Sequence, residues 1–246
     1  MEPRIIVRAL AAAGGQGGGC PAAKVQPCRG DGGCGGSGCA QSMLPLHEMA
    51  EALGAAIDAR DSFTREHSDE VAVLSELLAG SMGLSAAMVQ AVHVAGHLHD
   101  IGKIGLPDAV LRKPGPLTPD EWALVRLHPV TGHAIVQPVG CLRAAGVAEM
   151  ILHHHERYDG RGYPHGLAGE AVPLGARIIA VADSLSAMLQ ARAYRAPLTF
   201  DEALAEVARC AGGQFDPRVV EALSRTADTA RAFFAGRVDL GTGPGV

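Results

Sequence analysis

The adjacent pair His99-Asp100 ends an apolar run that begins at Leu84 and continues through Val89, Val92, Val94 and Leu98. An imidazole beside a carboxylate at the end of an apolar stretch is costly to bury unless something compensates the charge. A metal ion is the compensation that fits best. The chain must then fold so that further donors from distant segments converge on this one point. The candidates are His67, His128, the triple histidine His153-His154-His155, and Asp183 within the apolar stretch Ile178 to Leu185.

The rest of the sequence reads as helical. Leu46, Met49, Ala50, Leu53 and Ile57 recur at spacings of three and four, in a run that ends near Asp61. The same periodicity predicts helices from Thr64 to Ser81, from Ser85 to His99, from Thr118 to His128 and from Val130 to Val136. It predicts others from Arg143 to His153, Ala176 to Gln190, Phe200 to Cys210 and Pro217 to Leu223. Thr118 followed by Pro119, Asp120 and Glu121 is a helix start with proline in the first turn. A long glycine-rich loop spans His155 to Gly175; a loop of that length inside a compact domain is usually functional or disordered. Aromatics make up only 4% of the chain and no alternating strand pattern occurs, so the expected fold class is all-α, packed by Ala, Leu and Val. Residues 1–42 read as a disordered Gly/Cys-rich leader, 43–225 as one helical catalytic domain, and 226–246 as a C-terminal tail.

Composition excludes some functions. A net charge of −5 gives no broad field for a nucleic-acid duplex, so an anionic substrate needs a local basic pocket. No apolar run reaches the length of a membrane span, and the interrupted start is a poor secretory signal, so the chain is read as soluble and cytoplasmic. Cys20, Cys28, Cys34 and Cys39 contain no C-x-x-C pair and are read as reduced thiols, with Cys141 and Cys210 as ordinary residues of the fold.

Each candidate donor has a bland reading. His67 alone is a capping or surface histidine, and His128 before Pro129 is ambiguous. Adjacent histidines on a helix point about 100° apart, so two of the triple can face one site. Glu156 and Arg157 are placed to orient ligands from behind. His93 and His97 share a helix face at i, i+4, but no carboxylate motif accompanies them in the sequence, and they read as packing residues.

Taken together the motifs are specific. They comprise Asp58 to Ser68, His99-Asp100-Ile101-Gly102-Lys103, Leu106 to Gly115, His128-Pro129, His154 to Pro164 with Gly162-Tyr163-Pro164, Pro173 to Asp183, and Gln214 to Pro217. The chain resembles the HD-GYP family of bacterial cyclic di-GMP phosphodiesterases from about Ile57 to Val220. The resemblance implies an HD-domain-like helical bundle and two divalent transition-metal ions, iron or manganese. Asp100 would bridge the ions, with His67, His99 and Asp183 on one and His128, His154 and His155 on the other. Some family members hold a third ion through a glutamate where Phe63 stands here, and a phenyl ring cannot ligate. His153 has no counterpart role.

Two cations about 3.5–4 Å apart lower the pKa of a water between them and offset charge on a phosphoryl group. In this reading Lys103 acts beside Asp100 as a catalytic group, stabilising the transferring phosphate. Arg192 and Arg195 match positions that contact the phosphates of cyclic di-GMP, where a guanidinium gives two parallel bonds. Tyr163 shapes the pocket or stacks on a base. The product implied is pGpG, with GMP as a further one. Implied partners are protein signalling partners such as diguanylate cyclases and a second copy of the chain. Ser186 and Ala191 stand where the family has aspartate, and Ala193 where it has proline, which bears on substrate fit. Two other readings stay open: a catalytically weak module that binds cyclic di-GMP, and a phosphohydrolase of the same scaffold acting on another nucleotide.

Overall fold

The computed structural model describes residues 38–60, 66–190 and 196–241, with side chains placed for 46–60, 66–190 and 196–236. Phe63, Ala191, Arg192, Ala193, Arg195 and the cysteines Cys20, Cys28 and Cys34 fall outside the described residues. The fold is all-α: among the described residues only two isolated bridges, Asp159 with Ala168 and Ala211 with Phe215, have strand-like pairing. The helices are α1 (Gly38–Arg60), α2 (His67–Ser81), α3 (Ala86–Leu98), α4 (Asp108–Leu111), α5 (Pro119–Val125) and α6 (His128–Val136). They continue with α7 (Gly140–Ala144), α8 (Val147–His153), α9 (Leu174–Leu189), α10 (Phe200–Arg209), α11 (Pro217–Arg225) and α12 (Ala227–Gly241).

The central layer is α2, α3, α8 and α9. α2 packs chiefly on α3 and then on α9, while α8 fits against α3, α6 and α9. Val71, Leu74 and Leu78 of α2, Val92 of α3, Ile151 of α8 and Ile178, Ile179 and Leu185 of α9 are fully buried. Each such aliphatic contributes about 1.5–3 kcal/mol by leaving water, so these positions determine how the four helices register.

Local differences from the sequence reading have physical causes. The single helix expected from Arg143 to His153 is two, because Gly146 takes φ 77° and turns the chain before α8. A 3-10 turn, Ile101–Gly105, and the short α4 follow the His-Asp pair where only a helix stop was expected. Residues 227–241 form a helix, α12, whose Ala230 is buried in the core. α1 begins at Gly38, within the stretch read as leader.

Two contacts fix helix ends near the site. Glu66 precedes α2 with φ 61° and offers no side-chain cap. Asp58 of α1 supplies the missing acceptor, taking the Ser68 backbone N–H at 2.8 Å and its hydroxyl at 2.9 Å. Farther along, the Arg177 guanidinium of α9 is ion-paired with Asp216, which also accepts the Arg218 N–H at the start of α11. Both partners are buried, so removing one leaves a stranded charge costing about 3–5 kcal/mol.

Candidate metal centre

The sequence-predicted donors sit mostly at helix ends. His67 is the first residue of α2, His99 and Asp100 follow α3, His128 opens α6, and His154 and His155 follow α8. Asp183 lies mid-way along α9. Asp100 is the hub: its carboxylate lies 3.4 Å from His99 Nε2, 3.1 Å from His128 Nε2 and 2.7 Å from Lys103 Nζ. One donor atom each from Asp100, His128, His154 and His155 lies within 4.8 Å of the others, as does a second set of His67, His99 and Asp100. Asp183 Oδ1 joins the second set, 3.2 Å from His67 Nε2.

The close approach of the 3-10 turn to α6 makes this convergence possible. A Cβ on Gly102 would come within 1.9 Å of the His128 carbonyl oxygen and 2.5 Å of Gly132 N. Glycine alone lets the chain after Asp100 lie directly on the helix that carries His128. Arg60 secures the same turn from α1, donating to the Lys103 carbonyl at 2.8 Å and to the Leu106 carbonyl at 2.5 Å.

The tautomers are set from behind. His99 Nδ1 lies 2.7 Å from the Gly96 carbonyl, His128 Nδ1 2.8 Å from that of Val125 and His154 Nδ1 2.7 Å from that of Ile151. A carbonyl only accepts, so each Nδ1 must carry the proton, and a neutral ring then turns its Nε2 lone pair to the centre. His128 and His154 thus face each other Nε2 to Nε2 at 3.3 Å, and buried His99 Nε2 has no hydrogen-bond partner. Opposed lone pairs beside a carboxylate repel one another unless a cation lies among them. The donor set therefore fits divalent metal ions, and the carbonyls behind it fit the usual support of a metal-bound histidine.

His67 is held differently. Its Nδ1 donates to Ser186 Oγ at 2.8 Å, and Ser186 in turn donates to Glu70 Oε2 at 2.6 Å, where Gln190 Nε2 also donates at 2.8 Å. Sequence reasoning missed this chain of buried groups. Its sequence signal was Glu70, three residues after His67 on the same helix face.

Electrostatics follow from the packing. Burial disfavours the Asp100 carboxylate, but Lys103 and His99 outweigh it and hold the acid well below its ordinary range. Burial disfavours the His99 imidazolium, yet Asp100 and Asp183 raise this imidazole to about 9. Burial and then His155 and His128 hold His154 far down, and burial with His128 brings His155 to about 3. One half of the cluster attracts protons and the other rejects them.

Other expected residues fall as follows. Tyr163 stacks on His155, ring centroids 4.9 Å apart at 30°, with the Arg126 guanidinium 5.3 Å from its ring, so it walls the cluster. Burial, then the charges of Asp100 and Asp183, push its phenol up. His153 turns away toward His165, at 3.2 Å. Glu156 and Arg157 do not back the ligands as expected. Glu156 accepts the backbone N–H groups of His165, Gly166 and Leu167, and Arg157 pairs with Asp159 and Gln214, so both shape the loop instead. Within that loop a Cβ on Gly162 would lie 2.4 Å from Arg157 N, which leaves room for glycine alone beside Tyr163.

With the geometry in place, comparison with known proteins identifies the class. A family profile described as HD domain matches residues 51–219. The chain belongs to the HD domain family, with the intact Gly162-Tyr163-Pro164 loop of its HD-GYP branch. It is 44% identical over 178 residues to the cyclic di-GMP phosphodiesterase response regulator RpfG of Xanthomonas campestris, covering 72% of this chain and 47% of that one. It is 41% identical over 177 residues to a cyclic di-GMP phosphodiesterase of Thermotoga maritima, covering 72% and 48%. Among solved structures it superposes on a cyclic GMP-AMP specific phosphodiesterase of V. cholerae (V-cGAP3) with TM-score 0.60 and 19% identity, covering 74% and 49%. The chain spans about half the length of the curated relatives it matches. Among the described residues no helix is long and apolar enough to cross a membrane.

Proposed function

We propose that this chain is a metal-dependent phosphodiesterase that hydrolyses cyclic di-GMP to pGpG, with GMP as a further product, and acts in the cytoplasm. The observation that carries the reading is the convergence of imidazole Nε2 atoms on Asp100, each with its Nδ1 on a backbone carbonyl, with the Lys103 ammonium 2.7 Å from the same carboxylate. His67, His99 and Asp183 would hold one ion and His128, His154 and His155 the other, with Asp100 shared. Nitrogen and oxygen donors without thiolate suit iron or manganese. When bound, the pair supplies Lewis acidity toward a phosphoryl oxygen and a nucleophile from water at neutral pH.

The remaining work belongs to this chain's own side chains. Asp100 stays ionised, because Lys103 and His99 lie against it, and so would be able to ligate both ions. Lys103 offers a positive charge where the phosphate gains negative charge, a contribution that grows as water is excluded. The Tyr163 ring, stacked on His155, forms a wall against which a base can lie. Arg192 and Arg195 would grip the phosphates from the segment after α9. The catalytic unit is residues 43–225, and diguanylate cyclases or a second copy of the chain are its proposed protein partners.

The test is hydrolysis of cyclic di-GMP by anaerobically purified protein reconstituted with Mn²⁺ or Fe²⁺, with 3'3'-cGAMP and nucleoside monophosphates in parallel. Release of pGpG from cyclic di-GMP at a higher kcat/KM than the others supports the reading. Tight binding without turnover would make the chain a nucleotide-reading module, and preference for another nucleotide would reassign its substrate.

A further inference from the structure

On the face of α3 opposite the His99-Asp100 pair lies a second histidine cluster. His93 and His97, on successive turns of α3, are both buried, and His47 of α1 lies over them. The ring centroids of His47 and His93 are 4.7 Å apart, those of His47 and His97 5.6 Å, and those of His93 and His97 4.8 Å. One ring nitrogen from each residue lies within 4.8 Å of the others, the same closeness as in the two donor sets around Asp100.

The arrangement follows from how α1 crosses α3. Gly54 of α1 is packed so closely that a Cβ there would lie 2.7 Å from the His97 carbonyl oxygen. His47 is two turns earlier on the same face of α1, which brings its ring over the two α3 histidines. From α2, Glu76 Oε2 reaches 2.7 Å from His93 Nδ1, although the N–H there is not directed at the oxygen and Nδ1 is left without a hydrogen bond. The sequence shows no carboxylate near His93; the fold supplies one.

We propose that His47, His93 and His97 form a second metal site, binding one Zn²⁺ and joining α1 to α3, with Glu76 orienting His93. His93 Nε2 and His97 Nε2 face each other at 3.1 Å. Zinc–imidazole bonds of about 2.0–2.1 Å in a tetrahedron place ligand nitrogens roughly 3.3 Å apart, so this pair already has the spacing of two zinc ligands. A small turn of the Glu76 carboxylate brings it into line with Nδ1–H, the support that a zinc-bound histidine ordinarily has. Three nitrogen ligands leave a fourth position for water or for a ligand entering from the half-buried His47 side. The site does not depend on which nucleotide the other face hydrolyses.

The experiment is zinc stoichiometry on the full chain. Metal-free protein is equilibrated with buffered Zn²⁺, and bound zinc per chain is measured for the unaltered protein, for His47→Gln and for His93→Gln/His97→Gln. The same samples titrated with Co²⁺ report tetrahedral coordination through visible d–d absorption. Both variants are expected to bind one equivalent less than the unaltered chain and to lose one tetrahedral cobalt signal. Equal stoichiometry in the unaltered chain and the variants would overturn the site and leave the two imidazoles as a hydrogen-bonded pair. His47 is only half-buried, so His47→Gln keeps the test valid if the double variant does not fold.

Discussion

The two faces of α3 carry the same kind of side chain under different control. On the inner face, three backbone carbonyls fix the tautomers of His99, His128 and His154, and a carboxylate hub, Asp100, sits among their Nε2 atoms. On the outer face, His93 and His97 meet each other, His47 and an off-line Glu76, with the charge of Glu51 acting on His93 from α1. Both faces bring imidazole nitrogens into a metal-sized cluster. The inner face adds negative charge at its centre and a lysine beside it. The proposed outer site would hold its ion through imidazoles alone. A buried carboxylate hub with an adjacent ammonium is what suits a site to phosphate chemistry.

Removing the hub breaks the comparison most sharply. Asp100→Asn keeps the side chain's size but loses the shared charge, so loss of the inner metals and a fall in cyclic di-GMP hydrolysis of about a thousandfold or more are expected. Metal analysis beside the assay checks this; an Asn variant that still loads its inner ions and turns over would show that the hub is dispensable. The next largest effect separates metal holding from chemistry. Lys103→Ala should keep the inner ions and lower kcat by about 10²–10³-fold, the size of losing one electrostatic stabiliser of the reacting group. A normal kcat for this variant would reduce the lysine to a partner of Asp100.

How much of this was legible in the sequence depended on whether a signal was local. The helices were readable from apolar periodicity, and the inner donors from motif blocks: His99-Asp100, His128-Pro129, His154-His155 and Asp183 each carry a local pattern. What stayed hidden was set by tertiary contact. Ser186 reads in sequence only as a departure from aspartate, yet it stands between His67 and Glu70 because α9 lies across α2. The i, i+4 spacing of His93 and His97 was visible, but their third and fourth neighbours, His47 and Glu76, come from two other helices. The supporting roles of Glu156 and Arg157 were misread for the same reason: adjacency to His155 does not decide which way a side chain points once the chain turns into the loop.

The difference in how His67 is held gives a smaller test. Its neighbours are fixed by backbone carbonyls three residues before them in sequence, whereas His67 depends on Ser186, a side chain from α9. Ser186→Ala should weaken metal binding or activity by about 10–100-fold, the usual cost of losing a group behind a ligand, with rescue in Ser186→Thr. An alanine variant with unchanged metal affinity would mean that packing alone orients His67.

Protons give the finest distinction between the faces. Asp100 and Asp183 raise His99 to about 9 against the effect of burial, so in the metal-free protein at pH 7 this imidazole carries a proton. A ligating imidazole must be neutral, so loading the inner face displaces that proton. Below pH 9 the apparent affinity of the inner face should therefore drop about tenfold per unit fall in pH for each proton released. On the outer face the sign is opposite: burial lowers His93 and brings His97 to about 3, so both are already neutral at pH 7 and zinc displaces no proton from them. Calorimetric titration in two buffers of different ionisation heat measures released protons directly. Applied to Asp100→Asn, which loses the carboxylate that raises His99, it should show a smaller buffer dependence than the unaltered chain. Equal buffer dependence in the variant and the unaltered chain would mean that His93 and His97 are protonated until metal arrives, and that burial does less on that face than the acids do on the other.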